Sequence, residues 1–253
     1  MQEILTAIGD PRVRVVSHPK NLGLAAARNT GFRAATFDLV LPLDADDCLE
    51  PTFLEVTVAA LEQHPELDGV FTDFHLFGNQ TGILCLTYTS VAELLMERCS
   101  IPGSGVVIRK RLWNRVGGYA EAPILRHGSE DTDFWIGSAA GGLEIKHIPD
   151  ALYWYRRHAA SQTATHSSRN QYREREAIYQ RHRAILDQFQ AGPRFRSNGY
   201  LNSSGAFRAL GNWRLGVWFA VRALLIDPAN PRFLGGPYRF FNVRSRLRAT
   251  EGA

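Results

Sequence analysis

The stretch LPLDADDCLEP places three carboxylates, Asp44, Asp46 and Asp47, within four positions. Like charges this close are costly unless a cation neutralises them or one keeps its proton. Asp44 and Asp46 stand two apart and suit one hard divalent ion, Mg²⁺ or Mn²⁺. Such an ion bridges a pyrophosphate and stabilises the charge that develops as the pyrophosphate leaves. An EF-hand calcium loop is excluded, because Cys48 stands at its fifth position and no glycine comes after it. The competing reading is a cap, with Asp46 or Asp47 closing the start of the next helix.

Two more groups could do chemistry. In GSEDTDFW, Glu130 and Asp131 open a helix, with Ser129 placed as its N-cap. A carboxylate there is favoured by the helix dipole, which is the commoner reason for its presence. Facing a cleft, it would also accept the proton of an incoming hydroxyl. In YWYRRHAASQT, Arg156, Arg157 and His158 come directly after a strand. Arginine is a good phosphate ligand, and His158 reads as a metal ligand, a phosphate contact or a solvated loop histidine.

The elements that must position these groups alternate. Arg12–Ser17 reads as a strand, Asn21–Phe32 as a loop entering a helix, and Asp38–Asp44 as a buried strand made irregular by Pro42. A helix opens at Glu50-Pro51-Thr52 and runs to about Gln63, and Gly69–Phe77 is a strand. This alternation predicts an α/β domain with a mostly parallel sheet, whose ligands gather at the carboxyl ends of the strands. Asp44, Asp46 and Asp47 fall at such an end. Farther on, the pattern predicts helices at Val91–Arg98, Lys110–Val116 and Glu130–Ala139. Strands are predicted at Ser104–Ile108, Leu143–Ile148 and Leu152–Tyr155. From Ser167 the chain turns helical, with segments at Asn170–Phe189, Leu201–Leu210 and Trp213–Ile226.

A chain of 253 residues, 45% hydrophobic and 21% charged, is ordinary for a folded protein. Three scattered cysteines build neither a disulfide framework nor a zinc site. The longest apolar stretch, Leu215–Ile226, is interrupted by Arg222 and falls short of the roughly 20 residues of a spanning helix. MQEILTAIGD shows no basic start or apolar run, so no secretory signal is expected and a cytoplasmic, reducing setting is. The net charge of +4 is uneven: residues 165–253 carry 15 Arg against 5 Asp+Glu, and the remainder is acidic. A basic surface of this kind meets nucleic acid, anionic lipid or an acidic substrate, but no nucleic-acid motif accompanies it and none is expected as partner.

In this order, NLGLAAARNTG, a strand ending LDADD, VGGYAE and GSEDTDFW resemble the family 2 glycosyltransferases over roughly Arg12–Thr163. The resemblance implies a GT-A-like mixed, mostly parallel sheet with flanking helices over residues 1–165. Residues 166–253 would form an Arg-rich helical extension. It implies inverting transfer of a sugar from a nucleoside diphosphate sugar to a glycan or lipid-linked acceptor. Asp131 would be the general base, with Glu130 orienting it or the acceptor. Asp46 would ligate a divalent cation, with Asp44 and His158 beside it. Asn21, Gly23, Arg28, Asp44 and Arg157 would contact the nucleotide sugar. The family's domain opens with a strand, a helix and a second strand. The run MQEILTAIGDPRVRVV resembles the helix that lies beyond the second of these strands, so this β-α-β segment is expected to be missing. A truncated, non-catalytic binding or membrane-surface scaffold is therefore the rival reading. A nucleotidyltransferase is weaker, for lack of a basic Gly-rich phosphate loop, and without GxGxxG after a strand a dinucleotide oxidoreductase is disfavoured. In Trp213–Ile226, bulky apolar residues alternate with Arg214 and Arg222. Packing on the catalytic domain is preferred for this helix over peripheral contact with the inner face of a membrane.

Overall fold

The computed structural model describes residues 9–97, 99–126, 128–158, 168–234 and 242–244. In chain order they form α1 (Leu24–Ala34), β1 (Leu39–Val40), β2 (Cys48–Leu49), α2 (Phe53–Gln63), β3 (Gly69–Gly78), β4 (Gly82–Cys85) and α3 (Val91–Leu95). Next come β5 (Val106–Arg109), α4 (Lys110–Val116), α5 (Glu130–Ala140), β6 (Ile145–Arg157), α6 (Gln171–Arg181), α7 (Arg183–Gln188), α8 (Gly192–Ala209), α9 (Trp213–Ile226) and β7 (Asn242–Arg244). The mixed α/β architecture is as expected.

The sheet is built around β3, buried along nearly its whole length. One edge of β3 runs parallel to β6 from Gly69 to Gly78. The other edge is shared, with β5 on its first residues and β4 on its last, both antiparallel. β1, β2 and β7 also pair antiparallel. The expectation of a mostly parallel sheet is thereby corrected: among the described residues, β3–β6 is the parallel pairing. The reason is local, since short hairpin-like and edge strands need no crossover helix.

Three strand expectations change. Arg12–Ser17 is extended but joins no ladder among the described residues, and Val13, Val15 and Val16 are 40–59% exposed. β-branched residues favour extended backbone, but a strand exists only where a neighbour takes its hydrogen bonds. Pro42 ends the second strand early, and its carbonyl accepts a bond from Gly105 N at 3.0 Å. The two strands expected around Pro149-Asp150 are one, because those two residues fall in a bulge. The register there jumps from Thr72↔Ile148 to Asp73↔Ala151, where no ladder bond is asked of proline.

Two clusters form the core. The larger joins both faces of the sheet to α1, α2 and α5 through Phe32, Phe53, Phe71, Phe134 and Tyr153. The smaller seats the C-terminal helices on the other side of α5, through Ile136 and Ala139 against Ile178, Leu186 and Phe195. The long helix expected over Asn170–Phe189 breaks at His182. There the imidazole Nε2 stands 2.9 Å from Asp133 Oδ1, and Arg181 Nε donates to the same oxygen at 3.0 Å. The third carboxylate of EDTD therefore ties the extension to the α/β part.

Candidate active site

The DADD loop connects β1 to β2, and β2 pairs with the end of β6. Asp47 makes the connection rigid. Its Oδ2 accepts from the Tyr153 hydroxyl at 2.6 Å, and its Oδ1 from Arg156 N at 2.8 Å. Burial raises the Asp47 pKa, while these two donors oppose the rise. The Tyr153 hydroxyl is likewise pushed up, by burial and by Asp47. The buried carboxylate is thus a strut, and Asp46 beside it is left half-exposed. His158 Nε2 stands 2.8 Å from Asp46 Oδ2, and Arg156 Nε donates to the Asp46 carbonyl at 2.9 Å. Side-chain alternation along β6 sends Arg157 elsewhere, its guanidinium 5.7 Å from the Tyr155 ring centroid. The arginine brought to Asp46 is Arg156, a neighbour that charge alone could not single out.

Glu130 and Asp131 begin α5. Contrary to the sequence expectation, Ser129 does not cap this helix through its side chain. It adopts a left-handed backbone at φ 65° and its hydroxyl donates to Glu174 Oε2 at 2.7 Å. Asp131 Oδ1 accepts from Thr132 N at 2.6 Å. Its other oxygen faces Gly103, where an added Cβ would stand 2.8 Å away. Glu130 is buried and meets Arg28 of α1, with Nη1–Oε1 at 2.9 Å and side chains 8% and 6% exposed. The second nitrogen of Arg28 lies 3.6 Å from Asp44 Oδ1. One arginine therefore joins the strand-end carboxylates to the acidic helix.

This cluster is electrostatically tense. Burial, then the neighbouring Asp131, raises Glu130 to about 7, against the pull of Arg28. Tyr119 is pushed up by its burial, with Arg28 opposing. Its ring stacks on Phe134 with centroids 4.4 Å apart, and the Arg28 guanidinium lies 5.4 Å from the ring centroid.

The residues before α1 shape its entrance. Asn21 Oδ1 accepts from Gly23 N at 2.9 Å, and the Asn21 carbonyl accepts from Arg126. Gly23 precedes the helix at φ 95°, a left-handed value that favours glycine. Asn29, which sequence reasoning missed, locks α1 to the GGY turn. Its amide donates to Tyr119 O at 2.9 Å and to Glu121 Oε1 at 2.7 Å. Its carbonyl oxygen accepts from Tyr119 N at 2.8 Å and Trp113 Nε1 at 3.1 Å. The usable signal was Asn29 itself, a polar residue on the inward face of an Ala-rich helix. A cavity of about 400 Å³ lies between residues 12–18 and the Ala27/Thr30/Gly31/Ala34 face of α1. None of the carboxylates above lines it.

The sheet is mixed, with an acidic loop at one strand end and an acidic helix start joined to it through Arg28. Residues 1–83 match the model for glycosyl transferase family 2. An uncharacterized glycosyltransferase of Haemophilus influenzae is 31% identical over 150 residues, 57% of this chain and 54% of that protein. The amylovoran biosynthesis glycosyltransferase AmsE of Erwinia amylovora is 26% identical over 54% of this chain and 52% of its own. The chain thus matches about half the length of these relatives. Residues 1–349 of S. aureus TarS superpose with a TM-score of 0.56 at 15% identity, covering 98% of this chain and 84% of that one. A second TarS 1–349 structure is a complex with UDP. Over residues 1–83 the chain is thus similar to glycosyl transferase family 2, and its fold is the GT-A fold of TarS. No described helix is long and apolar enough to cross a membrane.

Proposed function

We propose that this chain transfers a sugar from a nucleoside diphosphate sugar to the hydroxyl of a glycan or lipid-linked acceptor, with inversion at the anomeric carbon. Asp131 accepts the hydroxyl proton as the acceptor oxygen bonds to that carbon. The bond to the diphosphate breaks on the opposite side, and its electron pair leaves with the phosphate oxygen. A weak nucleophile needs a carboxylate on its side, and a departing anion needs cations on the other. Arg28 carries the reading, because it touches Glu130 next to the base and also Asp44 on the strand-end loop.

Among the described residues no three His, Cys, Asp or Glu side chains converge as a ready metal cage. Asp46 and His158 nevertheless fit a Mg²⁺ or Mn²⁺ ion that takes its remaining ligands from diphosphate and water, a habit of such ions. Bound there, the cation would neutralise the leaving diphosphate. His158 and Arg156 hold the Asp46 loop in place, and Asn21 and Gly23 set the entrance to α1. Of the candidate nucleotide contacts, Arg157 has the least support, as its guanidinium lies over Tyr155. UDP, present in the TarS complex, is the natural first probe.

The test combines binding with transfer. UDP or GDP with Mn²⁺ is expected to raise the melting temperature of the protein. Asp131→Asn should keep that rise while transfer falls by roughly 10²–10⁴-fold. Unchanged transfer in Asp131→Asn would remove the base from its role. Absence of stabilisation by either nucleotide would leave the non-catalytic scaffold reading standing.

A further inference from the structure

Helix α9 is held to the rest of the protein by a narrow stripe. Gly216, Phe219 and Ala223 are buried, at the i, i+3, i+7 spacing of one helical line. The Phe219 ring stacks on Phe207 with centroids 5.2 Å apart and packs on Tyr172 and Tyr200. Two carbonyls of the helix, Gly216 and Ala223, accept from Ser204 and Ser197 at 2.7 and 3.0 Å. The helix is thus firmly placed, but on α6 and α8 of the C-terminal part and not on the catalytic domain, where the expectation put it.

The rest of α9 is open. Trp213, Leu215, Val217, Trp218, Val221, Leu224 and Leu225 are 40–72% exposed, and Leu210 just before them is 64% exposed. Folded proteins scatter exposed apolar residues singly and rarely gather so many on one element. The polar partners of this face are arginines. From Leu201 to Ile226 the sequence holds Arg208, Arg214 and Arg222 and no carboxylate. Arg222 lies 5.0 Å from the Trp218 ring centroid.

We propose that the outer face of α9 lies flat on a lipid bilayer containing anionic lipid. At 1.5 Å per residue the helix is about 21 Å long, too short to cross a bilayer but ample to lie in its interface. Tryptophan rings sit at headgroup depth, the aliphatic residues enter below them, and guanidinium groups meet lipid phosphates. A second copy of this chain is a poorer occupant. A two-fold contact over α9 would bring its arginines toward those of the partner, and the helix offers no carboxylate to answer them.

Vesicle flotation of the full chain tests this. Binding to phosphatidylcholine vesicles containing phosphatidylglycerol is expected, and much weaker binding to phosphatidylcholine alone. Arg214→Gln with Arg222→Gln should weaken binding to the anionic vesicles by about thirtyfold. Trp218→Ser with Val221→Ser and Leu225→Ser, all at exposed positions, should abolish flotation without lowering the melting temperature. Equal binding to both vesicle types overturns the proposal, as does full binding by the triple variant. So does a dimer in light scattering that the triple variant abolishes while neither vesicle is bound.

Discussion

Glu130→Gln tests the electrostatics of the site most directly. Burial and Asp131 lift the Glu130 carboxyl from an ordinary 4.5 to about 7, so the folded chain holds this proton over a range where the unfolded chain has lost it. Between these values the native state binds more protons, and stability therefore falls as pH rises. The whole rise corresponds to about 3 kcal/mol, absent below pH 4.5 and fully felt above pH 7. The glutamine variant keeps the shape and an oxygen facing Arg28 but carries no charge. Its stability should match the parent protein near pH 4.5 and exceed it by about 3 kcal/mol near pH 8. Urea unfolding monitored by tryptophan fluorescence at several pH values gives the difference directly. Groups that titrate alike in both proteins cancel in it. A difference that stays flat from pH 4.5 to 8 would refute the claim that a buried, repelled carboxylate sits beside Asp131.

Two further substitutions probe the framework around the site. Asn29→Ala removes four hydrogen bonds, two to the Tyr119 backbone and one each to Glu121 and Trp113, leaving buried backbone and indole groups without partners. A loss of roughly 2–4 kcal/mol in urea unfolding is expected. Gly103→Ala puts a methyl 2.8 Å from Asp131 Oδ2. It should reduce kcat by tenfold or more with little change in melting temperature, and unchanged kcat would show that this carboxylate oxygen need not stay where it is.

Much of the scaffold was legible in the sequence. Helices α4 and α9 fall where hydrophobic periodicity and flanking Gly117 and Pro228 place them. The acidic triplet, the ED pair and the arginine–histidine run could be named because charge clusters are costly and therefore conspicuous. Alternation also set the coming and going of strands and helices.

Partnership was decided only by the tertiary structure, since hydrogen-bond partners lie far apart along the chain. Asp47 proved to be a buried strut because Tyr153, more than a hundred positions away, supplies its donor. Arg156 rather than Arg157 reaches Asp46, because beyond the bulge at Pro149-Asp150 successive side chains of β6 point to opposite faces. Arg12–Ser17 stays unpaired among the described residues, since extended propensity cannot provide the strand beside it. Sequence alone determined which groups had to be satisfied. Folding chose the partners, because a single chain position cannot encode the distance to another.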